Sequence, residues 1–352
     1  MQQDLTSTQT NHWPRVAVVI LNYGTRQWLE KFLPSVLNTA YNNLEIVVAD
    51  NASKDDSVSF LKEHYPQVTL LQFHKNLGYT GGYNKALSLV TADYFVLLNS
   101  DIEVPSNWLE PMVKMAIENP NIGAIQPTIL DWNNKQKYEY AGAAGGYIDK
   151  YGYPFCKGRV FDTIEIENTR YQSPGKIFWA SGACMFIKAS AFENSGGLEE
   201  RFFAHMEEID LCWRLHLHGY DIMFCPESKV YHVGGATLNK AKPQKTYLNF
   251  HNSLAMLAKN LPKNKVLQVI FMRLVIDHVA AYKFLFEGKV LHFFAVARAH
   301  LTFIAHYKKW IQLRDPKHTQ THLKDLPGVL NSSIVKEYFI SKKKTFDSLN
   351  FK

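Results

Sequence analysis

Four apolar runs rich in β-branched residues recur within the first hundred or so positions, each followed by a segment of a different period. "RVAVVILNYG" (15–24), "LEIVVADNAS" (44–53), "VTLLQFH" (68–74) and "DYFVLLNSDIEV" (93–104) are continuous rather than alternating, as in strands covered on both faces. Between them, residues 25–40 place Trp28, Leu29, Phe32, Leu33 and Leu37 at helical spacing, and "DDSVSFLKEHY" (55–65) reads as a helix with an acidic first turn. "NLGYTGGYNKALSLV" (76–90) reads as a glycine-rich turn that opens a third helix. Strands alternating with helices point to an α/β fold with a mostly parallel sheet. In such sheets ligands sit beyond the carboxyl ends of the strands. Here those ends are polar: Asn22 and Tyr23, then Asp50 and Asn51, then Asn99, Ser100 and Asp101.

The pattern loosens from about 120 to 180. "GAIQPTIL" (123–130) reads as a strand, "GKIFWASGACMFIKASAF" (175–192) as a strand leading into a helix, and the Gly/Tyr-rich stretch between them as loops or a hairpin. Residues 207–235 give a helix ended by Gly219, then a strand ending near His232, and beyond 245 the pattern is helical to about 310.

Several chemistries have no motif to carry them. "GYTGG" (78–82) is neither GxGxxG nor a phosphate loop with Lys and Ser/Thr, which discounts NAD; tight packing suits it better than a phosphate approaching its backbone. No HxxxH or HExxH supports a zinc hydrolase, and no GxSxG supports a serine nucleophile. Asp101 closes "NSD" at a strand end, where a carboxylate ligates a hard divalent cation or merely shapes a turn. Asp50 has the same two readings, a nucleoside contact or a turn former. His232 ends "KVYH" as a structural or a ligating residue.

The stretch "FAHMEEIDLCWRL" (203–215) holds three carboxylates among aromatic and apolar residues. As a helix start it satisfies the dipole, with Asp210 and Arg214 paired at i,i+4. Successive helix residues point about 100° apart, so Glu207 and Glu208 cannot share one role. Glu207, Asp210, Leu211 and Arg214 form one stripe, which suits structure. Glu208, Cys212 and Leu215 form another, which suits presentation of Glu208 to a substrate.

Taken in order and spacing, "VVILNYG", "VVADNASKDDS", "NLGYTGGYN", "LLNSDIEV" and "FFAHMEEIDLCWRLHLHGY" resemble the family 2 glycosyltransferases, most closely the rhamnosyltransferase-like branch of bacterial surface polysaccharide synthesis. The resemblance covers about residues 15–260. It implies the GT-A fold, a Rossmann-like mixed sheet flanked by helices, and an inverting hexosyl transfer dependent on Mg²⁺ or Mn²⁺. The donor would be a TDP- or UDP-linked sugar, rhamnose or another hexose, and the acceptor a saccharide or lipid-linked saccharide. By the same resemblance Leu21, Asn22, Tyr23, Asp50, Asn51, Gly78, Asn99 and Ser100 contact the nucleotide, and Asp101 and His232 hold the metal. Asn99 replaces the first acid of the family's DxD-like motif. Glu208 falls on the catalytic base, a Glu where Asp is usual, with Glu207 beside it. Trp179, Gly182 and Asp210 lie where donor sugar and acceptor meet.

Charge divides the chain. Residues 1–239 hold 19 Lys/Arg and 26 Asp/Glu (net −7), whereas residues 240–352 hold 20 Lys/Arg and 6 Asp/Glu (net +14). The basic third is also apolar, as in "VLHFFAVARAHLTFIAHYKKW" (290–310), which suits a membrane surface better than nucleic acid, for which no reader motif exists. Arg273, Asp277, Lys283 and Glu287 interrupt the best spanning candidate, so the segment lies on a membrane or packs on the body. The expected organisation is a flexible tail (1–14), a catalytic domain (15–260) and a helical, basic region (261–352). Four cysteines without CxxC spacing and a polar N-terminus suggest free thiols in a cytoplasmic protein, peripheral at the inner membrane face. The rival readings are a non-catalytic nucleotide- or glycan-binding scaffold and, less well supported, a nucleotidyltransferase.

Overall fold

The computed structural model describes residues 13–167, 169–234, 242–315 and 321–351. The strands, in chain order, are β1 (Val16–Asn22), β2 (Leu44–Asp50), β3 (Thr69–Gln72), β4 (Tyr94–Leu98), β5 (Ile102–Glu103), β6 (Ile122–Asp131), β7 (Asn134–Tyr138), β8 (Gly146–Asp149), β9 (Pro154–Cys156), β10 (Arg159–Val160), β11 (Thr163–Ile164), β12 (Gly175–Lys176), β13 (Cys184–Lys188), β14 (Asp221–His232) and β15 (Val329–Leu330). The helices are α1 (Arg26–Leu37), α2 (Ser57–His64), α3 (Gly78–Leu87), α4 (Glu110–Glu118), α5 (Ala189–Asn194), α6 (Glu207–Leu217), α7 (Pro243–Asn260), α8 (Lys263–Phe286) and α9 (Val290–Gln312).

The main sheet runs β12-β14-β6-β13-β4-β1-β2-β3, with β5 added to β14 and β7 to β6. β3, β2, β1 and β4 are parallel, and β13 enters antiparallel between β4 and β6. This is the mixed, Rossmann-like sheet that the alternation demanded. Its two faces bury separate apolar clusters because odd and even positions of β1 point to opposite sides: Ala17 and Val19 into one, Val16, Val18 and Ile20 into the other.

A second sheet, β11-β10-β9-β8-β15, grows from the Gly/Tyr-rich stretch. β8 and β9 form the hairpin expected there, but β15 joins from the far end of the chain, pairing Val329 with Ile148 and Leu330 with Asp149. Past Gln312 the described residues add β15 and three short helical turns, Leu323–Asp325, Lys336–Ile340 and Phe346–Ser348, to the two-sheet body. Gly78 to Gly82 are also helical, forming the first turn of α3 rather than a loop before it.

Candidate active site

β1 and β2 end level, with Asn22 paired to Asp50, so their last side chains meet. Asn22 Nδ2 donates to Asp50 Oδ1 at 2.9 Å and to Ser53 Oγ at 2.9 Å, and the Ser53 amide donates to Asp50 Oδ2 at 3.1 Å. Thr25 bridges the next strand end, donating to Asn22 Oδ1 at 2.5 Å and lying 2.9 Å from the Ser100 hydroxyl. The row is thus one bonded network with Asn22, Asp50 and Asn51 buried beneath it. Tyr23 stands exposed at its lip, and Leu21 is partly buried. Asn51 turns the other way: its Nδ2 donates to Gly78 O at 3.0 Å and its Oδ1 accepts from the Leu77 amide. That shapes the entry to α3.

Gly78 itself is not open to a phosphate. Its φ is +73°, and a Cβ there would meet the Phe203 ring at 2.6 Å. The Phe203 carbonyl accepts the Tyr79 amide at 2.9 Å, occupying a donor that a helix N-terminus would offer an anion. Gly78, expected to contact the nucleotide, packs against Phe203 and meets the strand-end row through the bond its carbonyl accepts from Asn51.

Asp101 and His232 come together from β5's start and β14's end. His232 Nε2 lies 3.2 Å from Asp101 Oδ1 and 3.5 Å from Asn99 Nδ2, and Nδ1 faces Glu139 Oε2 at 3.4 Å in poor hydrogen-bond geometry. Burial alone would lower the imidazole pKa, but the two carboxylates outweigh it and push it up to about 10. Sequence reasoning missed Glu139. Its one signal was an acid flanked by two tyrosines, Tyr138 and Tyr140.

The described residues contain no cluster of three His, Cys, Asp or Glu side chains arranged to hold a metal. With the imidazole proton displaced, Asp101 and His232 would offer one oxygen and one nitrogen close enough to share an ion, and a carboxylate behind the ring is the usual means of fixing a ligating histidine. A two-residue donor set of this kind fits a divalent cation whose other ligands are diphosphate oxygens and water.

α6 begins under backbone strain. Phe203, His205 and Met206 all have positive φ (63°, 71° and 73°), a conformation costly for non-glycine residues and concentrated at functional sites. Glu207 is buried and Glu208 only partly so, and each has one buried carboxyl oxygen without a partner. Burial raises both pKa values; Glu208 rises to about 7, with helix N–H groups pulling it partly back. Glu207 rises well above its ordinary range, by burial and then by the charge of Glu208. Tyr79, also unforeseen, sits within the electrostatic reach of both glutamates, and its hydroxyl donates to Gly182 O at 2.7 Å. A side chain at Gly182 would strike that hydroxyl at 2.5 Å. The Asn99 amide donates to Ala183 O, so Gly182 links the strand-end row to Tyr79 and the glutamates. The buried Cys156 thiol feels both Glu139 and Glu208, which joins the histidine cluster to the same region.

Two residues expected to contact sugar, Trp179 and Asp210, are held in buried packing and ion-pair networks. Trp179 is buried, donates its indole N–H to Tyr147 O at 2.9 Å, and packs over Gly146, where a Cβ would meet the ring at 2.1 Å. It joins the two sheets. Asp210 is wholly buried: Arg214 Nε and Lys259 Nζ each donate to Oδ2 at 2.9 Å, and Asn260 Nδ2 donates to Oδ1 at 2.8 Å. Burial opposes ionisation, but Lys259 and Arg214 prevail and hold its pKa down to about 2. It anchors α6 to α7. A cavity of about 730 Å³ opens beside this network, lined by Glu199, Arg214, Lys259 and Asn260 among others. Its cations are already paired with Asp210 and Glu199, so the strand ends remain the better chemical site.

The fold is similar to that of GalNAc-T7, solved with UDP, GalNAc and Mn²⁺ (TM-score 0.56, 16% identity, covering 70% of this chain and 48% of that one). It is also similar to the mannosyltransferase PcManGT from Pyrobaculum calidifontis in complex with GDP-Man and Mn²⁺ (TM-score 0.51, 16% identity, 86% and 84% covered). These neighbours establish the GT-A fold. In sequence, the chain is 28% identical over 233 residues to an N-acetylglucosaminyl-diphospho-decaprenol L-rhamnosyltransferase of Mycobacterium tuberculosis, covering 61% of this chain and 75% of the relative. Residues 17–195, just over half the chain, match the model of glycosyl transferase family 2; the chain belongs to that family, in a rhamnosyltransferase-like branch.

Proposed function

We propose that this protein transfers a hexosyl group, rhamnose or a close relative, from a TDP- or UDP-linked donor to a hydroxyl of a lipid-linked saccharide, with inversion at the anomeric carbon. The observation that carries the reading is a buried strand-end network at Asn22, Asp50 and Asn99–Asp101, linked through Ala183, Gly182 and Tyr79 to a carboxyl, Glu208, whose pKa is raised to about 7. Residues 15–260 would be the transferring unit.

Asp50 and Asn22 would accept and donate to the nucleoside, with Tyr23 as an exposed ring at its edge. Asp101 and His232 would hold a divalent cation, which when bound supplies positive charge to the donor's diphosphate. Glu139 would keep the imidazole turned toward Asp101. Glu208, partly exposed and ionised near neutrality, would take the proton from the acceptor hydroxyl as it attacks from the face opposite the leaving nucleoside diphosphate. One displacement of this kind inverts configuration. Glu207, more deeply buried and raised further, would stay neutral and keep a second negative charge away from the nucleophile. The lipid-linked acceptor is supported by the name of the mycobacterial relative, and a reaction at the cytoplasmic face of a membrane would suit it.

The test is a transfer assay with TDP-rhamnose and UDP-hexoses on wild-type protein and Glu208→Gln. Donor turnover by the wild type, and at least a hundredfold loss in the variant with nucleotide binding retained, supports the reading. Equal turnover by both proteins contradicts it.

A further inference from the structure

α8 is amphipathic in reverse. Its charged residues Arg273 and Asp277 face inward, where Arg273 Nε donates to Asp277 Oδ1 at 3.0 Å, stacks at 3.5 Å over the Tyr153 ring and donates to the Tyr151 and Gly152 carbonyls. The Tyr153 hydroxyl donates to the same Asp277 oxygen at 2.5 Å. This clamp fixes the rotation of the helix. Its outward stripe is then Leu267, Phe271, Val275, Val279, Tyr282 and Phe286, all exposed and the last 87% so. Their spacing repeats the helical period over five turns on the side that faces away from the body. The stripe continues across the Gly288 turn onto α9, where Leu291, Phe294 and Leu301 are also more than half exposed. The largest apolar patch on an ordinary monomer covers several hundred Å²; this one is on the order of 1,000 Å².

We infer that the outward face of α8 and α9 docks on an anionic lipid surface. Charge selects this occupant. Lys263, Lys265, Lys283, Lys289, Lys308 and Lys309 are exposed along the two helices. The two acids within this stretch are already paired, Asp277 in the clamp and Glu287 with Lys283 and Lys289. A second copy related by a twofold axis would set like charges opposite one another, whereas anionic headgroups complement them. No described helix is long and apolar enough to cross a membrane, so the face lies in the interface. α9 also packs on α7, whose Lys259 and Asn260 hold Asp210 of the helix that begins at Glu207. Lipid contact is thereby tied mechanically to the active site. The inference deepens the lipid-linked-acceptor reading by naming the surface involved, and its test does not depend on transfer.

The experiment is sedimentation of the full chain with phosphatidylcholine vesicles, with and without a third of phosphatidylglycerol, for wild type and Phe271→Glu/Phe286→Glu/Leu291→Glu. Circular dichroism verifies folding, and nucleotide binding on the same preparations reports separately on the transferase reading. The expected result is partitioning at least about tenfold stronger on the anionic vesicles, weakened by salt and reduced by a similar factor in the triple variant. A second variant, Lys283→Ala/Lys289→Ala, is expected to weaken anionic binding alone. Three results would overturn the proposal: no binding by folded wild type, undiminished binding by the triple variant, or wild-type self-association without vesicle binding that the triple variant abolishes.

Discussion

His232 Nε2 lies 3.2 Å from Asp101 Oδ1 across 131 positions of sequence, joining the end of β14 to the acid that follows β4. The pair is rigid because both residues are buried and Glu139 backs the ring. Chelation with EDTA is expected to abolish transfer, with Mn²⁺ or Mg²⁺ restoring it. His232→Ala should weaken cation-dependent nucleotide binding by about 10–100-fold, the range usual for lost metal-site contacts. Titration calorimetry with and without the cation checks this; cation-independent binding of equal strength in both proteins would refute it.

Glu208 sets an expected pH profile. With its pKa at about 7, the ionised base is lost as pH falls below that value, so kcat/KM should rise tenfold per unit below pH 7 and level off above it. Glu208→Gln should remove this acid limb along with most of the rate. A pH–rate series on both proteins reads the outcome.

The same shift has the opposite consequence for stability. In the unfolded chain Glu208 ionises near its ordinary 4.5, and in the folded chain near 7. Below pH 4.5 it is neutral in both states and costs nothing. Between 4.5 and 7 the unfolded chain ionises first, so folding stability falls by on the order of 2–3 kcal/mol and then levels. Glu207, raised further, extends the decline upward. Glu207→Gln/Glu208→Gln should show a flatter dependence of Tm on pH across that window.

Asp210 works the other way. Its pKa is held at about 2, so its contribution is present above the ordinary 3.8 and fades as pH falls through 2. Asp210→Ala leaves Lys259 and Arg214 partly buried around a missing counter-charge and is expected to cost roughly 3–5 kcal/mol. Denaturant unfolding at neutral pH measures it. A loss below about 1 kcal/mol would mean the network is dispensable.

Gly78→Ala tests the packing role assigned to that glycine. The substitution combines a left-handed φ with a Cβ at 2.6 Å from the Phe203 ring, and should destabilise by about 1–3 kcal/mol while disturbing the strained segment that leads into Glu207. Any loss of nucleotide affinity should be small beside the loss of stability, since Gly78 meets the strand ends only through its carbonyl, which accepts from Asn51 Nδ2. Thermal unfolding and calorimetry on the same variant separate the two effects.

The sequence made the central parallel strands β1 and β4 legible because they are buried on both faces and so read as unbroken apolar runs, whereas the edge strand β3 is half-exposed. Asn22, Asp50 and Asn99 were legible as the polar residues at which those runs stop. Glu139 was not, because it lies in a segment whose neighbours carry neither period, and its meaning comes from His232, which arrives by long-range pairing of β14 with β6. β15 was hidden for the same reason: two residues pair with a strand some 180 positions earlier. Trp179 and Asp210 looked like site residues because an aromatic and an acid near catalytic positions are compatible with either role. Only burial and hydrogen-bond partners separate the two. The helical pattern of 261–312 was plain, yet its period could not say which stripe faces outward; the Arg273–Asp277–Tyr153 clamp decides that.

The most direct single measurement is calorimetric titration of UDP, TDP and GDP into wild-type protein and Asp101→Asn, each with and without Mn²⁺. The expected result is cation-dependent binding of one nucleotide class, weakened at least tenfold by the substitution, which would also identify the donor. Folded wild-type protein that binds none of the three, or binds equally well after Asp101→Asn, would contradict a nucleotide-sugar site at the strand ends.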